Sequence, residues 1–303
     1  MPTLEVRELS TPCEGTLFKP TTLTSAHPAT GVLVLSGSSG RLERDRARLF
    51  AERGVTALTI RWFGGPDQPR EITEIPLETF TAALDLLQAE GAARLAIQGI
   101  SKGAEAAMLT AIRDPRVDAV VALSPPAYSF GWATTPALPD NRQRPHVSCW
   151  TWQGAPLPFI PMDDAWLYAT NARNTPGPTA IRGWYEQSER TFADHRAQSA
   201  IPIEETAADL VLVAGGDDAM WPSLRYAQTL AARRQPTPAR THLITSPHAG
   251  HRIRIPGESQ LPPHPNFAYG GSHNQDSALG AKAWPTILNI LQETTSNTTR
   301  TPH

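Results

Sequence analysis

Arg94-Leu-Ala-Ile-Gln-Gly-Ile-Ser-Lys-Gly-Ala-Glu-Ala-Ala-Met-Leu-Thr-Ala-Ile-Arg113 decides the fold of this chain. A strand candidate over 94–98 runs into the turn Gly99-Ile-Ser101-Lys-Gly103, and an alanine-rich helix continues over 102–113. A serine in so tight a strand-to-helix turn takes an unfavourable backbone conformation, so its neighbours must be small. Gly99 and Gly103 leave that clearance. The helix N-terminus beside Ser101 favours developing negative charge, and the backbone amide of Lys102 is placed to donate to an oxyanion. A simpler reading of the same residues is a serine capping a helix after a strand.

Outward from this turn the same rhythm repeats. Strand candidates at 31–35, 55–61 and 117–123 alternate with helical stretches at 42–53 and 77–90. The rhythm resumes late in the chain with a strand at 209–214, a helix at 224–234, a strand at 241–244 and a helix at 279–292. Continuous apolar strands alternating with helices predict a mostly parallel sheet covered on both faces. The loosely alternating residues 4–18 suit antiparallel edge strands. Between the two series, residues 125–203 are proline-rich, carry Trp132, Trp150, Trp152, Trp166 and Trp184, and show helical character around 184–196. So long a stretch is no simple loop, which predicts one domain over 1–303 with a cap inserted at about 125–203. The five tryptophans suit an acyl pocket or the cap's own core equally well. The Ser/Thr/Asn-rich tail over 294–303 reads as frayed.

A serine hydroxyl needs a base, and the base needs an orienting acid. Val211-Leu-Val-Ala-Gly-Gly-Asp-Asp218 is an apolar strand ending in two aspartates, the place for that acid. Asp218, three residues beyond Gly215, is the first choice and Asp217 the second, with the other bracing the loop. Of nine histidines, His251 in Pro247-His-Ala-Gly-His251 follows the last strand and precedes the last helix. Its small Ala249-Gly250 neighbours suit a loop pressed against the site; His248 is the decoy. His264 and His273 read as surface loop residues that line the pocket at most. A second oxyanion donor is expected from Leu35-Ser-Gly-Ser-Ser-Gly40, with the amide of Ser38 first. No Gly-Lys-Ser/Thr ending follows, so this is not a nucleotide P-loop.

Composition narrows the function further. The 303 residues are 40% hydrophobic and 18% charged with a net charge of -2, enough for a sizeable core and without the basic stripe of a nucleic-acid binder. Cys13 and Cys149, the only cysteines, read as reduced thiols although one disulfide is open to them. The start Met1-Pro-Thr-Leu-Glu5 has no basic or apolar leader, and no apolar run reaches membrane-span length. A cytoplasmic protein without membrane partners is expected. No His-Glu-x-x-His, Cys-x-x-Cys or Gly-x-Gly-x-x-Gly is present, so neither metal nor other cofactor is expected. Arg41, Arg44, Arg46 and Arg48 are interspersed with Glu43 and Asp45 and read as a solvated helix face, with CoA phosphates the alternative contact. Lys102 and Glu105 read as an i,i+3 surface pair.

With these residues in place, the chain resembles the C-terminal catalytic domain of the bile acid-CoA:amino acid N-acyltransferase and acyl-CoA thioesterase family, of the α/β-hydrolase superfamily. The marks are Gly99-Ile-Ser-Lys-Gly-Ala-Glu105, Ile201-Pro-Ile-Glu204, Gly215-Gly-Asp-Asp-Ala-Met-Trp221, Ala249-Gly-His251, and Gly270-Gly271 before a Trp-containing helix. Residues 44–49 are similar to the helix after the family's oxyanion loop. The resemblance implies an acyl-enzyme: Ser101 attacks an acyl thioester while His251, oriented by Asp218, moves the protons. The family's serine members are chiefly thioesterases, so Ser101 favours hydrolysis over acyl transfer. Two departures are visible. Only about 30 residues precede Gly31, where animal members carry a β-sandwich domain, and the cap is long. They widen the expected substrates from acyl-CoA to an acyl carrier protein thioester, an ester or a lactone. Two other functions remain open: a carboxylesterase or lactonase of dienelactone-hydrolase type with the same triad, and a hydrolase fold kept as a binding protein.

Overall fold

Runs such as Val32-Leu-Val-Leu35 and Val120-Val-Ala-Leu123 have no polar face, so they are stable only with helices on both sides. The computed structural model, which describes residues 2–11, 13–21, 29–133, 146–170 and 176–292, places them that way. Eight strands form one sheet: β1 Leu4–Leu9, β2 Gly15–Pro20, β3 Thr30–Leu35, β4 Thr56–Ile60, β5 Arg94–Ile100, β6 Val117–Leu123, β7 Asp209–Gly215 and β8 Thr241–Ser246. Their spatial order is β1-β2-β4-β3-β5-β6-β7-β8. The β1–β2 hairpin joins the sheet antiparallel through β2 and β4, and every later pairing is parallel. The antiparallel edge expected of residues 4–18 is present.

Four helices, α1 Arg44–Ala51, α2 Glu78–Ala89, α3 Lys102–Arg113 and α4 Ser223–Arg234, follow β3, β4, β5 and β7, and α5 His273–Gln292 closes the described chain. The sheet separates two apolar clusters. One gathers Leu33, Leu58, Ile97, Leu212 and the faces of α2, α3 and α4. The other gathers Val32, Val34, Val121, Val213 and the faces of α1 and α5. Alternate residues of one strand thus fill opposite cores, as the period of two requires. Helix α5 starts six residues before the predicted 279, because 273–278 is polar and carries no apolar period to announce a helix. The tail over 294–303 lies outside the described residues.

Among the described residues, 124–208 contribute no strand to the large sheet. They hold short pairings instead: Trp150–Trp152 lies parallel to Ile75–Pro76 and antiparallel to Ala155–Pro156. Helix Arg182–Thr191 matches part of the expected 184–196. Trp150 is in the α2/α3-side core, and Trp132, Trp152, Trp166 and Trp184 pack against it. All five take part in core packing, Trp150 fully and the other four with part of their surface exposed. Cys13 and Cys149 are buried free thiols.

Candidate active site

The turn after β5 brings three backbones too close for side chains. A Cβ on Gly99 would sit 2.1 Å from the carbonyl oxygen of Gly103, and one on Gly103 would sit 2.2 Å from that of Ser36. Strand, turn and the β3 loop therefore pack through glycine. Ser101 takes φ 59° and ψ -123°, a left-handed conformation that a non-glycine residue holds only under constraint from its surroundings. The result is a side chain 9% exposed at the start of α3, facing the loop after β3. Gly37 lies against it, since a Cβ there would be 3.6 Å from Ser101 Oγ.

Across the cavity, β7 ends in Gly215-Gly-Asp-Asp218. Asp218 is buried, and its Oδ1 accepts from the amides of Met220 (2.8 Å) and Trp221 (3.2 Å). Its Oδ2 lies 2.7 Å from His251 Nδ1. Asp217 points the other way and accepts from the amide of Gly271 at 2.9 Å. Of the two adjacent aspartates, then, one meets the histidine and the other braces the loop. His251 is held on every side. Its carbonyl accepts from Ser124 Oγ at 2.9 Å, its amide donates to Tyr269 O at 2.9 Å, and Trp221 stands edge-on to its ring at 5.2 Å. Ser101 and His251 line one cavity of about 80 Å³ together with Gly37, Ser38 and Ser39. The hydrogen bonds of the described residues do not include one between the Ser101 hydroxyl and His251; such contacts tighten in a substrate complex.

His248 is exposed on the β8 side, while His264 and His273 line an adjoining cavity. Residues to which the sequence assigned no role complete the surroundings: Met220, Tyr269, Arg252 and Arg254 in the wall, and Ser124 and Trp221 behind His251. The signals in the sequence were the nearness of Arg252 to His251 and the place of Met220 and Trp221 in the stretch that follows Asp218. Asp276 was also missed; its Oδ1 accepts from the amide of Gly250 at 2.6 Å, and burial raises its carboxyl above the usual range.

The expected Lys102–Glu105 surface pair is overturned. Both side chains are buried, with Lys102 Nζ 2.8 Å from Glu105 Oε2. The ammonium also donates to Phe130 O at 3.0 Å and to Cys149 Sγ at 3.4 Å, and Trp150 Nε1 donates to Glu105 Oε1 at 2.7 Å. Phe130, Cys149 and Trp150 sit over the α3 N-terminus, which a helix-surface reading does not foresee. Burial alone would lower the lysine pKa, but the facing Cys149 and Glu105 more than offset it and hold it above the ordinary value. Burial pushes the Cys149 thiol up to about 12, so it is protonated at neutral pH. The arginine series is only partly a solvated face: Arg44 and Arg48 are exposed, Arg46 is buried against Glu258, and Arg41 lines the Ser101 cavity.

Among the described residues, no group of His, Cys, Asp and Glu is arranged to hold a metal ion, and no helix is long and apolar enough to cross a membrane. In solved structures the chain is similar to a Klebsiella pneumoniae protein described as a dienelactone hydrolase, at TM-score 0.51 and 12% identity over 96% of this chain and 98% of that one. It is also similar to an acylaminoacyl peptidase of Pyrococcus horikoshii, at TM-score 0.55 and 11% identity over 98% of this chain and 43% of that one. At such identities the likeness shows the fold, which is the α/β-hydrolase fold. Among curated proteins it is 25% identical to acyl-coenzyme A thioesterase 6 of Homo sapiens over 93% of this chain, and spans 63% of that protein. To the mitochondrial acyl-coenzyme A thioesterase 2 of Homo sapiens it is likewise 25% identical, over 80% of this chain and 46% of that one. A family profile described as "BAAT / Acyl-CoA thioester hydrolase C terminal" matches residues 75–297, a stretch that contains Ser101, Asp218 and His251. With that match covering well over half of its length, the chain belongs to the BAAT / acyl-CoA thioester hydrolase family.

Proposed function

We propose that the protein is a serine-dependent acyl-thioester hydrolase working through an acyl-Ser101 intermediate, with residues 125–203 as the cap over the site. The observation that carries this reading is the 2.7 Å contact between His251 Nδ1 and the buried Asp218 carboxylate, in the cavity that Ser101 also lines. In the proposed reaction His251 Nε2 takes the hydroxyl proton as Ser101 Oγ attacks the thioester carbonyl. Asp218 keeps Nδ1 protonated and supports the imidazolium. The amides of Lys102 and Ser38 donate to the oxyanion. Collapse expels the thiolate, which His251 protonates, and water then releases the acid from Ser101 by the same route. The family membership supports thioester substrates, CoA before acyl carrier protein, and no cofactor is needed.

The test is intact-protein mass with thiol release on acyl-CoA and acyl-N-acetylcysteamine thioesters, for the wild type and Ser101→Ala. An acyl adduct or thiol release that vanishes in the variant is the expected result. Added amines or alcohols then separate hydrolysis from acyl transfer. No adduct and no thiol release across the panel would sink the thioester reading.

A further inference from the structure

The chain leaving His251 passes directly through Arg252 and Arg254, and both residues line two cavities at once. One is the cavity at Ser101, to which Arg41 also contributes. The other, about 390 Å³, shares Arg252, Arg254, Leu261 and Tyr269 with it and continues to His264, His273 and Asp276. The two arginines therefore form the wall between the nucleophile and the larger space beside it.

Arg252 is held in place without being neutralised. Its Cζ lies 3.8 Å from the centroid of the Tyr269 ring, and one terminal nitrogen donates to Pro262 O at 2.7 Å. Among the described residues it has no carboxylate partner. Arg254 is 7% exposed, and its Nε is a buried donor with no partner. Its terminal nitrogens reach Ser259 O at 2.5 Å and Glu258 Oε1 at 3.5 Å. That carboxylate is already held by Arg46, through bonds of 2.9 and 3.2 Å. Arg41 is paired with Glu43 at 2.9 Å. Three guanidiniums, Arg41, Arg252 and Arg254, thus line the Ser101 cavity with one carboxylate, Glu43, while Glu258 outside that lining is shared by Arg46 and Arg254. Asp276, which lines the larger cavity, accepts from Gly250 N through its carboxylate, and its backbone carbonyl faces the Arg254 amide; Asp218 and Asp217 are engaged by His251 and the Gly271 amide.

A cationic wall with a stacked arginine and an orphaned buried donor is suited to a planar or tetrahedral anion, which a guanidinium fork binds through paired hydrogen bonds. We propose that Arg252 and Arg254 form an anion subsite that receives a carboxylate or phosphate group of the substrate next to His251. The subsite deepens the thioester reading above and rests on it. A carboxylate would come from the far end of the acyl group, a phosphate from the thiol half.

The experiment compares the wild type with Arg252→Met on butyryl and glutaryl thioesters, each carried on N-acetylcysteamine and on CoA. The expected loss in kcat/KM is about tenfold larger for anionic substrates than for neutral butyryl-N-acetylcysteamine, the scale of one charge-assisted bidentate contact. A selective loss on the glutaryl pair assigns the acyl side, and one on the CoA pair assigns the thiol side. Equal losses on all four substrates, or none, overturn the subsite. Calorimetric titration of the same two proteins with glutarate and with CoA reads binding without turnover. Wild-type binding that weakens about tenfold in Arg252→Met supports the subsite even if no thioester is cleaved, in which case only the hydrolase reading falls. No binding of either anion to the wild type overturns the subsite.

Discussion

Asp217 and Asp218 differ by one position and face opposite ways, one toward Gly271 and one toward His251. Asp218→Asn is expected to lower kcat for thioester cleavage on the order of 10³–10⁴-fold, because the amide no longer holds the imidazole in the right tautomer. Asp217→Asn keeps an acceptor for the Gly271 amide and is expected to lose much less, so steady-state kinetics of the pair decides the assignment. The opposite ranking would give the acid role to Asp217. At the proposed nucleophile, Ser101 holds φ 59° because Gly99 and Gly103 let helix and strands close around it.

Helix α3 carries a buried ion pair in its first turn. The pair of Lys102 and Glu105 ties the residue after the nucleophile to Phe130, Cys149 and Trp150 of the inserted segment. Removing one partner strands the other charge, so Lys102→Met and Glu105→Gln are each expected to cost about 3–5 kcal/mol in denaturant unfolding. The double variant Lys102→Met/Glu105→Gln removes both charges, keeps an acceptor for Trp150 Nε1 and is expected to recover most of that loss. Additive losses in the double variant would show that the pair is not coupled. The backbone amide of Lys102 is unaffected by its side chain, so thiol release should survive in whatever fraction of each variant folds.

Across the whole molecule, acid stability reports how the insert is anchored. Burial works to raise the Asp163 pKa, but hydrogen bonds from Gln187, Thr191 and the Ala165 amide prevail and hold it below the ordinary aspartate value. A carboxylate with a depressed folded pKa contributes stability that is fully present above its unfolded value, about 3.9, and is lost as pH falls through the folded one. Asp163→Asn is therefore expected to lower the denaturation midpoint at pH 7, with the gap to wild type shrinking below about pH 4. A gap independent of pH would assign the loss to geometry, not charge. Because Asp163 joins the start of the insert's short helix Ala165–Ala169 to Arg182–Thr191, tryptophan fluorescence of the insert should follow the same pH course.

The alternation of strands and helices, the antiparallel entry and the serine turn were legible in the sequence, because apolar period and short-range sterics act within a few residues of one another. Strand β6 and helix α3 match their expected bounds, and Ser101, Asp218 and His251 converge on one site. The first turn of α5 was not legible, being polar, and neither were the contacts that Ser124, Trp221, Tyr269 and Asp276 make with the His251 loop, which arise across long separations in the chain. Which aspartate meets His251 was decided by how the loop after β7 packs against Gly270, where Asp218 makes a backbone bridge. Burial of the Lys102–Glu105 pair was decided by Phe130, Cys149 and Trp150 packing over α3. A helix reading sees spacing along one face; only tertiary packing determines whether water or protein covers that face.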